Sequence, residues 1–186
     1  MEALLFCLLG AGLLGAWLVP KWRLRRALAR PLAPEHLRIL ERNVAQYSGM
    51  AEGERARLQR MVLRFLHEKK FVGCAGLEIT DEMRGTIAGQ ACLLLLGRVG
   101  EDGKGPMYPT LDMVLVYPGA FLVPRRQLDA SGVVTEERQD LLGESWGDGR
   151  VILSWEHVRR AGSAGGPNHN VVLHEFAHQL DSESGN

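Results

Sequence analysis

The sequence predicts an α+β domain preceded by a single apolar helix. Several segments repeat apolar residues at the 3.6-residue spacing of amphipathic helices, and others are short apolar runs typical of strands. Because helices and strands do not alternate regularly, the pattern favours α+β over α/β. The chain has 186 residues and a formal net charge of zero, which allows one domain plus the apolar helix and implies no strongly charged partner.

Residues 3–19 form an uncharged apolar run that would span roughly 25 Å as a helix, near the lower limit for a bilayer core. Basic residues follow this run, whereas a secretory signal peptide carries its positive charge before it. The positive-inside bias keeps such a flank in the cytoplasm. The basic residues of the flank are Lys21, Arg23, Arg25, Arg26 and Arg30.

We therefore predict a single-pass anchor over residues 1–20 in the inner (cytoplasmic) membrane, a basic, proline-containing linker over residues 21–34, and a cytoplasmic domain over residues 35–186. A cleaved signal peptide is one alternative, and a cytosolic protein is the other. The basic cluster lacks the interleaved aromatic residues of a nucleic-acid interface, so we expect no direct nucleic-acid binding. The three cysteines have no CxxC spacing and indicate neither a disulfide framework nor a cysteine-rich zinc site.

The first half of the domain predicts helices with one short strand. A helix is expected over residues 35–47, and a stronger one follows, in which Leu58, Met61, Val62, Phe65 and Leu66 share one face. The charged face of that second helix is interpreted as solvated surface. Residues 77–79 form a strand candidate, after which Thr80 or Asp81 caps a helix that continues to Leu96.

The second half predicts short strands separated by loops. Residues 98–110 contain glycine and proline and indicate a loop. Strands are expected over residues 111–117 and 121–123, with a weaker one over residues 132–138. The most convincing strand covers residues 150–155, after the glycine-containing turn at residues 146–149.

The final helix, predicted over about residues 169–181, carries an HExxH motif. His174 and His178 are four residues apart and therefore lie on one helical face, where both imidazoles can bind one Zn²⁺ ion. Glu175 lies roughly 100° around the helix, from where it can deprotonate a zinc-activated water. Leu173, Phe176, Ala177 and Leu180 form a separate apolar stripe, and Asn170 is the better of two candidate N-caps.

The motif supplies two of the three protein ligands that a catalytic zinc needs. Asp181 lies one turn beyond His178 and is predicted to orient that imidazole through a hydrogen bond. Glu183 follows the predicted end of the helix, without helical support. The sequence thus predicts a zinc site whose third ligand is missing from this chain, in a domain incomplete at its C-terminus.

Five segments, taken in order, resemble the Mlc titration factor A family of bacterial zinc peptidases. They are residues 87–94, 116–118, 143–146, 151–155 and 170–181. The resemblance implies a zincin-like fold and a metallopeptidase with aminopeptidase activity. It also implies that His174 and His178 are zinc ligands, that Glu175 is the general base, and that a Glu on a later helix is the third ligand. For the enteric members it implies binding to the transcriptional repressor Mlc, which controls sugar uptake.

The main hypothesis is a zinc-dependent, aminopeptidase-like metallopeptidase that acts on peptide substrates. The alternative is a binding module that sequesters an Mlc-like repressor and has an incomplete, non-catalytic metal site. An edge strand beside a metal helix can hold an extended peptide by backbone pairing. The candidate for that strand is Val151, Ile152, Leu153, Ser154 and Trp155. An interior strand without a substrate role is an equally weighted alternative.

Overall fold

The computed structural model describes residues 19, 26, 29–100, 105–128, 134–141, 143–146, 149–162 and 170–184; for residues 121–128, 134–141 and 143–146 it describes the backbone alone. The chain divides into two compact units, Met1–Pro31 and Leu32–Asn186. Within the described ranges, no helix is both long and apolar enough to cross a membrane. The predicted anchor over residues 3–19 lies outside those ranges, apart from Val19.

The second unit begins with helices, as predicted. Helix α1 covers Pro34–Asn43, a short 3-10 helix covers Tyr47–Gly49, and helix α2 covers Glu52–Glu68. Pro34 stands in the first turn of α1, where its missing N–H costs no hydrogen bond. The predicted apolar face of α2 is buried at Leu58, Met61, Val62 and Phe65. Helix α1 ends before the predicted residue 47, because Val44 adopts an extended conformation.

Helix α3 covers Asp81–Leu93 and packs against α1 and α2. The hydroxyl of Thr80 accepts a hydrogen bond from the Met83 amide (3.3 Å), so Thr80, one of the two predicted candidates, is the N-cap. The helix ends three residues before the predicted Leu96, and turns cover residues 94–98. Gly89 permits the close crossing with α1, because a Cβ there would lie 2.5 Å from Leu40 Cδ2.

The domain contains a four-stranded sheet. Its strands are β1 (Lys70–Gly73), β2 (Met113–Tyr117), β5 (Gly143–Trp146) and β6 (Arg150–Ser154), and their order in the sheet is β1-β2-β6-β5. Strands β1, β2 and β6 are parallel, and β5 pairs antiparallel with β6 at one edge. Together with the α-helices of the described residues, this small sheet confirms the α+β class.

The sequence placed one strand wrongly and missed two. Residues 77–79 are not a strand, because the Leu77 amide donates to the Cys74 carbonyl in a tight turn with Ala75 and Gly76 at positive φ. The strand lies earlier, at β1, whose partly exposed side chains lack an uninterrupted apolar run. Strand β5 was also missed.

Two further strands form an antiparallel hairpin between β2 and β5. Strand β3 covers Phe121–Leu128 and β4 covers Val134–Leu141, with Phe121 opposite Leu141 and Leu128 opposite Val134. Both are longer than predicted. Among the described strands, these two pair only with each other.

Two helices follow the sheet: α4 covers Trp155–Gly162 and α5 covers Val171–Ser184. Trp155 was predicted to end a strand but begins α4, where the buried Ser154 hydroxyl lies 2.8 Å from His157 Nδ1. Helix α5 packs against α3, α4, β5 and β6. Its Phe176 ring lies 4.9 Å from the Tyr108 ring and 5.8 Å from the Phe65 ring, so an aromatic cluster joins α5 to α2.

Candidate metal centre

Helix α5 carries the HExxH motif and begins as the sequence predicts. The Asn170 side-chain oxygen accepts a hydrogen bond from the Leu173 amide at 3.1 Å, and its backbone carbonyl accepts one from the His174 amide at 3.0 Å. Asn170 is therefore the N-cap: its side chain satisfies one N–H group that a helix start leaves unpaired, and its carbonyl accepts the first bond of the helix. The helix continues to Ser184, three residues beyond the predicted end, so Glu183 is helical after all.

The two histidines lie together on the exposed side of α5. Their Nε2 atoms are 3.2 Å apart, and their rings are nearly perpendicular, with centroids 4.5 Å apart. Two nitrogens bound to one tetrahedral zinc at about 2.05 Å lie about 3.3 Å from each other. The spacing therefore fits two ligands of one zinc ion. Without metal, the same spacing lets one imidazole N–H donate to the other nitrogen.

Glu175 lies on a different side of the helix from the histidines. Its side chain is only 6% exposed, whereas His174 and His178 are exposed. Glu175, Gln179 and Glu183 follow one another at intervals of four residues and share one face. The carboxylate is thus placed at the protein side of the motif, and the imidazoles at the solvent side.

The apolar stripe of α5 is confirmed in part. Phe176 and Leu180 are buried, as predicted, and Val172 is buried with them. Leu173 and Ala177 are only partly buried, because the helix is rotated so that its inner face also includes Glu175 and Gln179. No local pattern in the sequence predicts that Glu175 and Gln179 are buried on that face.

The carboxylates after the motif point in different directions. Glu183 Oε1 accepts a hydrogen bond from the Thr110 hydroxyl at 3.1 Å, so it is held by the loop before β2. Asp181 is exposed and follows His178 on the histidine side of the helix. Its orienting role on His178 stays a prediction. Within the part of the chain that the structure describes, no three His, Cys, Asp or Glu side chains form a metal-binding group.

The candidate substrate strand is not at an edge. Strand β6, which contains Val151 to Ser154, pairs with β2 on one side and with β5 on the other. The residues from Arg150 to Leu153 are thus paired on both sides, and Trp155 belongs to α4. Strand β6 is therefore an interior strand of the described sheet and not an edge, and the role of these residues in substrate binding stays a prediction. The strand that is both at the edge and beside α5 is β5.

Three residues that support α5 were not identified from the sequence. Gln179 is 2% exposed and donates to the Thr110 hydroxyl at 2.6 Å. Lys69 Nζ donates to the carbonyls of Tyr108 and Leu111, each at 2.7 Å, on either side of Thr110. The only signal in the sequence was Gln179 itself, a polar residue one turn after Glu175; nothing marked Thr110 or Lys69.

The sequence comparisons agree with this geometry. A sequence model of the glucose-regulated metallo-peptidase M90 family matches residues 19–186. The chain belongs to that family. An uncharacterised protein of Synechocystis sp. is 40% identical over 166 residues, which cover 88% of this chain and 58% of that protein.

Several relatives, including those from Klebsiella pneumoniae and Escherichia coli, are named Mlc titration factor A, which confirms the resemblance found in the sequence. The protein from Klebsiella pneumoniae is 36% identical over 138 residues, covering 73% of this chain and 49% of that protein. The protein from Escherichia coli O9:H4 is 33% identical over 140 residues, covering 74% of this chain and 49% of that protein. The chain therefore spans about half the length of the curated relatives it matches.

Proposed function

We propose that this M90-family chain carries the catalytic helix of a zinc-dependent peptidase with aminopeptidase-like activity. The observation that supports this proposal most directly is the 3.2 Å separation of the His174 and His178 Nε2 atoms on the exposed side of α5. The membership of a metallo-peptidase family supports the same chemistry. His174 and His178 would hold the metal, and a carboxylate from outside the described residues would complete the set.

In the proposed hydrolysis, the metal and Glu175 have different chemical roles. Bound zinc supplies a Lewis acid that polarises a peptide carbonyl and makes water more acidic. The Glu175 carboxylate would take a proton from the attacking water and later give it to the leaving nitrogen. Its fixed place on the helix next to His174 keeps the proton acceptor at a constant position relative to the two imidazoles. Glu175 belongs to the buried face of α5, and the burial of that face keeps this part of the helix from turning toward solvent.

Strand β5 is the proposed binding strand for an extended peptide. Among the described strands it pairs only with β6, and it lies next to α5. An extended peptide could add to the side of β5 that no described strand pairs with, through backbone hydrogen bonds, which hold many sequences with little side-chain selectivity. This placement replaces the interior β6 of the sequence-based hypothesis.

The test is the substitution Glu175→Gln in the full-length protein. The amide keeps the size of the side chain but cannot accept the proton, so peptide hydrolysis should be abolished while bound zinc stays near one equivalent. His174→Ala is the matched control, since it should lose metal and activity together. Near-normal hydrolysis by Glu175→Gln would show that Glu175 is not the base.

A second candidate function is repressor sequestration, which the name of the Mlc titration factor A relatives favours. In that case the chain would bind an Mlc-like transcriptional repressor, and the metal would have no catalytic role. Titration of the full-length protein with purified repressor, with and without a zinc chelator, separates the two functions. Binding that the chelator does not change, without peptide hydrolysis, would favour sequestration.

We also propose that residues 3–19 anchor the protein in the inner membrane with the domain in the cytoplasm. The support is the uncharged run followed by five basic residues between Lys21 and Arg30. We expect the intact protein to stay in the membrane fraction after alkaline washing. In spheroplasts, the domain should be protected from protease added outside the cell. Release into the soluble fraction would favour a cytosolic protein.

A further inference from the structure

One hydroxyl group of the loop before β2 makes two hydrogen bonds to the metal helix, beside the ring contact between Tyr108 and Phe176. Thr110 Oγ1 accepts a hydrogen bond from Gln179 Nε2 at 2.6 Å and donates one to Glu183 Oε1 at 3.1 Å. A hydroxyl has one proton to donate and two lone pairs, so it can make both bonds at once. Thr110 therefore joins two successive turns of α5 to a single point on the loop.

The loop itself is held by a row of cations from helix α2. Arg57 donates to the Leu96 carbonyl and Arg64 to the Gly105 carbonyl, both at 2.8 Å. Lys69, just after α2, donates to the carbonyls of Tyr108 and Leu111. The sequence pattern predicts that the charged face of α2 is solvated surface. Instead, these cations bind backbone carbonyls in the described parts of the segment between α3 and β2.

Two other contacts fix the part of the loop around Thr110. The Tyr108 hydroxyl donates to the Ala91 carbonyl at 2.8 Å, and burial raises the pKa of that phenol, so it stays protonated. The amides of Asp112 and Met113 both donate to the Gly149 carbonyl, at 2.9 and 3.1 Å. Gly149 has φ +85°, and a Cβ there would lie 2.8 Å from the Thr110 carbonyl oxygen, so the fit requires glycine.

We propose that Thr110 is a positioning residue for the metal site, which fixes the rotation of α5 and thereby keeps His174 and His178 directed outward as a pair. This proposal rests on the proposed zinc site. Gln179 and Glu183 lie roughly 100° and 140° around the helix from His178. Holding both of them against one fixed point limits rotation of the helix about its axis. Phe176 and Leu180 hold the inner face of the same helix against the core, and Thr110 adds a polar contact toward its C-terminal end.

The proposal predicts a specific effect on metal affinity. If the C-terminal half of α5 turns or frays more often, the fraction of molecules with a competent histidine pair falls, and the apparent dissociation constant for zinc rises in proportion. One net hydrogen bond corresponds to about fivefold in an equilibrium constant. Thr110 makes two such bonds but is exposed, so we expect an increase of up to about fivefold, with the full factor reached where the competent fraction is small.

The experiment compares Thr110→Val with Thr110→Ser in the full chain. Valine keeps the shape and removes the hydroxyl, whereas serine keeps the hydroxyl. Zinc chloride affinity is measured by competition with a chromogenic chelator, and amide hydrogen exchange of residues 177–184 is measured in the chelator-treated protein. The control is Tyr47→Phe, which removes the bond that the Tyr47 hydroxyl accepts from Gln59 at 2.6 Å, far from α5 in the sequence.

Support requires weaker zinc binding and faster exchange in Thr110→Val, recovery of both in Thr110→Ser, and no change in Tyr47→Phe. Equal effects of Thr110→Val and Tyr47→Phe on zinc affinity, or failure of serine to restore it, would overturn the proposal. If the unsubstituted protein binds no zinc, the proposed function fails on its own. The exchange rates then decide about Thr110: faster exchange in the valine variant alone supports the rotational role, and unchanged exchange overturns it.

Discussion

Replacement of Phe176 by alanine should destabilise the protein strongly, because this ring docks the metal helix. The side chain is fully buried, at 0% exposure, between the rings of Tyr108 and Phe65. Buried Phe→Ala substitutions cost about 3–5 kcal/mol. Edge-to-face or tilted ring pairs add about 0.5–1.5 kcal/mol each beyond area burial. Two such pairs place the expected loss in the upper part of the range, at about 4–5 kcal/mol.

The assay is urea unfolding followed by far-UV circular dichroism. A loss of this size is a large part of the 5–15 kcal/mol typical of a folded domain, so the alanine variant could unfold without denaturant. Phe176→Leu keeps most of the apolar volume and loses the ring contacts, with an expected cost of about 1–2 kcal/mol. A loss below about 2 kcal/mol for Phe176→Ala, at an unchanged m-value, would refute the docking of α5 through this ring.

Two further predictions concern packing and charge. Gly53→Ala in α2 should stabilise the protein by about 0.5 kcal/mol, because the added Cβ meets no atom within 4 Å. Gly89→Ala should destabilise it by about 1–3 kcal/mol, because the added Cβ clashes with Leu40. If the two substitutions change the thermal stability in the same direction, the α1–α3 packing is contradicted. Burial lowers the pKa of Lys69 below 10.5, partly opposed by Glu68, Asp112 and Glu183 and reinforced by Arg64. The unfolded chain then binds more protons between the folded pKa and 10.5, so the Lys69 contribution to stability rises with pH in that window. The unfolding free energy of the wild type minus that of Lys69→Met should therefore increase from pH 8 to pH 10.5, and a constant or falling difference would contradict this.

Local patterns in the sequence were sufficient to predict most helices. The apolar spacing of α2, the Thr80 cap of α3 and the Asn170 cap of α5 each depend on residues within a few positions of one another. That His174 and His178 share one face of the helix follows from the same local geometry, since four residues make slightly more than one turn.

Strand positions and the surroundings of the motif required long-range contacts. Strand β1 has weak local character and exists because it pairs with β2, more than 40 residues later, from Lys70 opposite Met113 to Gly73 opposite Val116. Whether β6 lay inside the sheet or at its edge depended on β5, which the sequence did not reveal as a strand. Strand propensity depends on such neighbours more than on the residues themselves.

The sequence by itself determined that one helix presents two histidines on one face with a glutamate beside them, because helical periodicity is a property of the chain alone. Only the tertiary structure decided how that helix is rotated and what holds it. Glu175 and Gln179 are buried by distant parts of the chain. The hydrogen bonds from Thr110 to Glu183, and from Arg64 and Lys69 to the loop, also join residues distant in sequence. Such contacts form when packed elements bring polar groups within hydrogen-bond distance, and no local pattern encodes that distance.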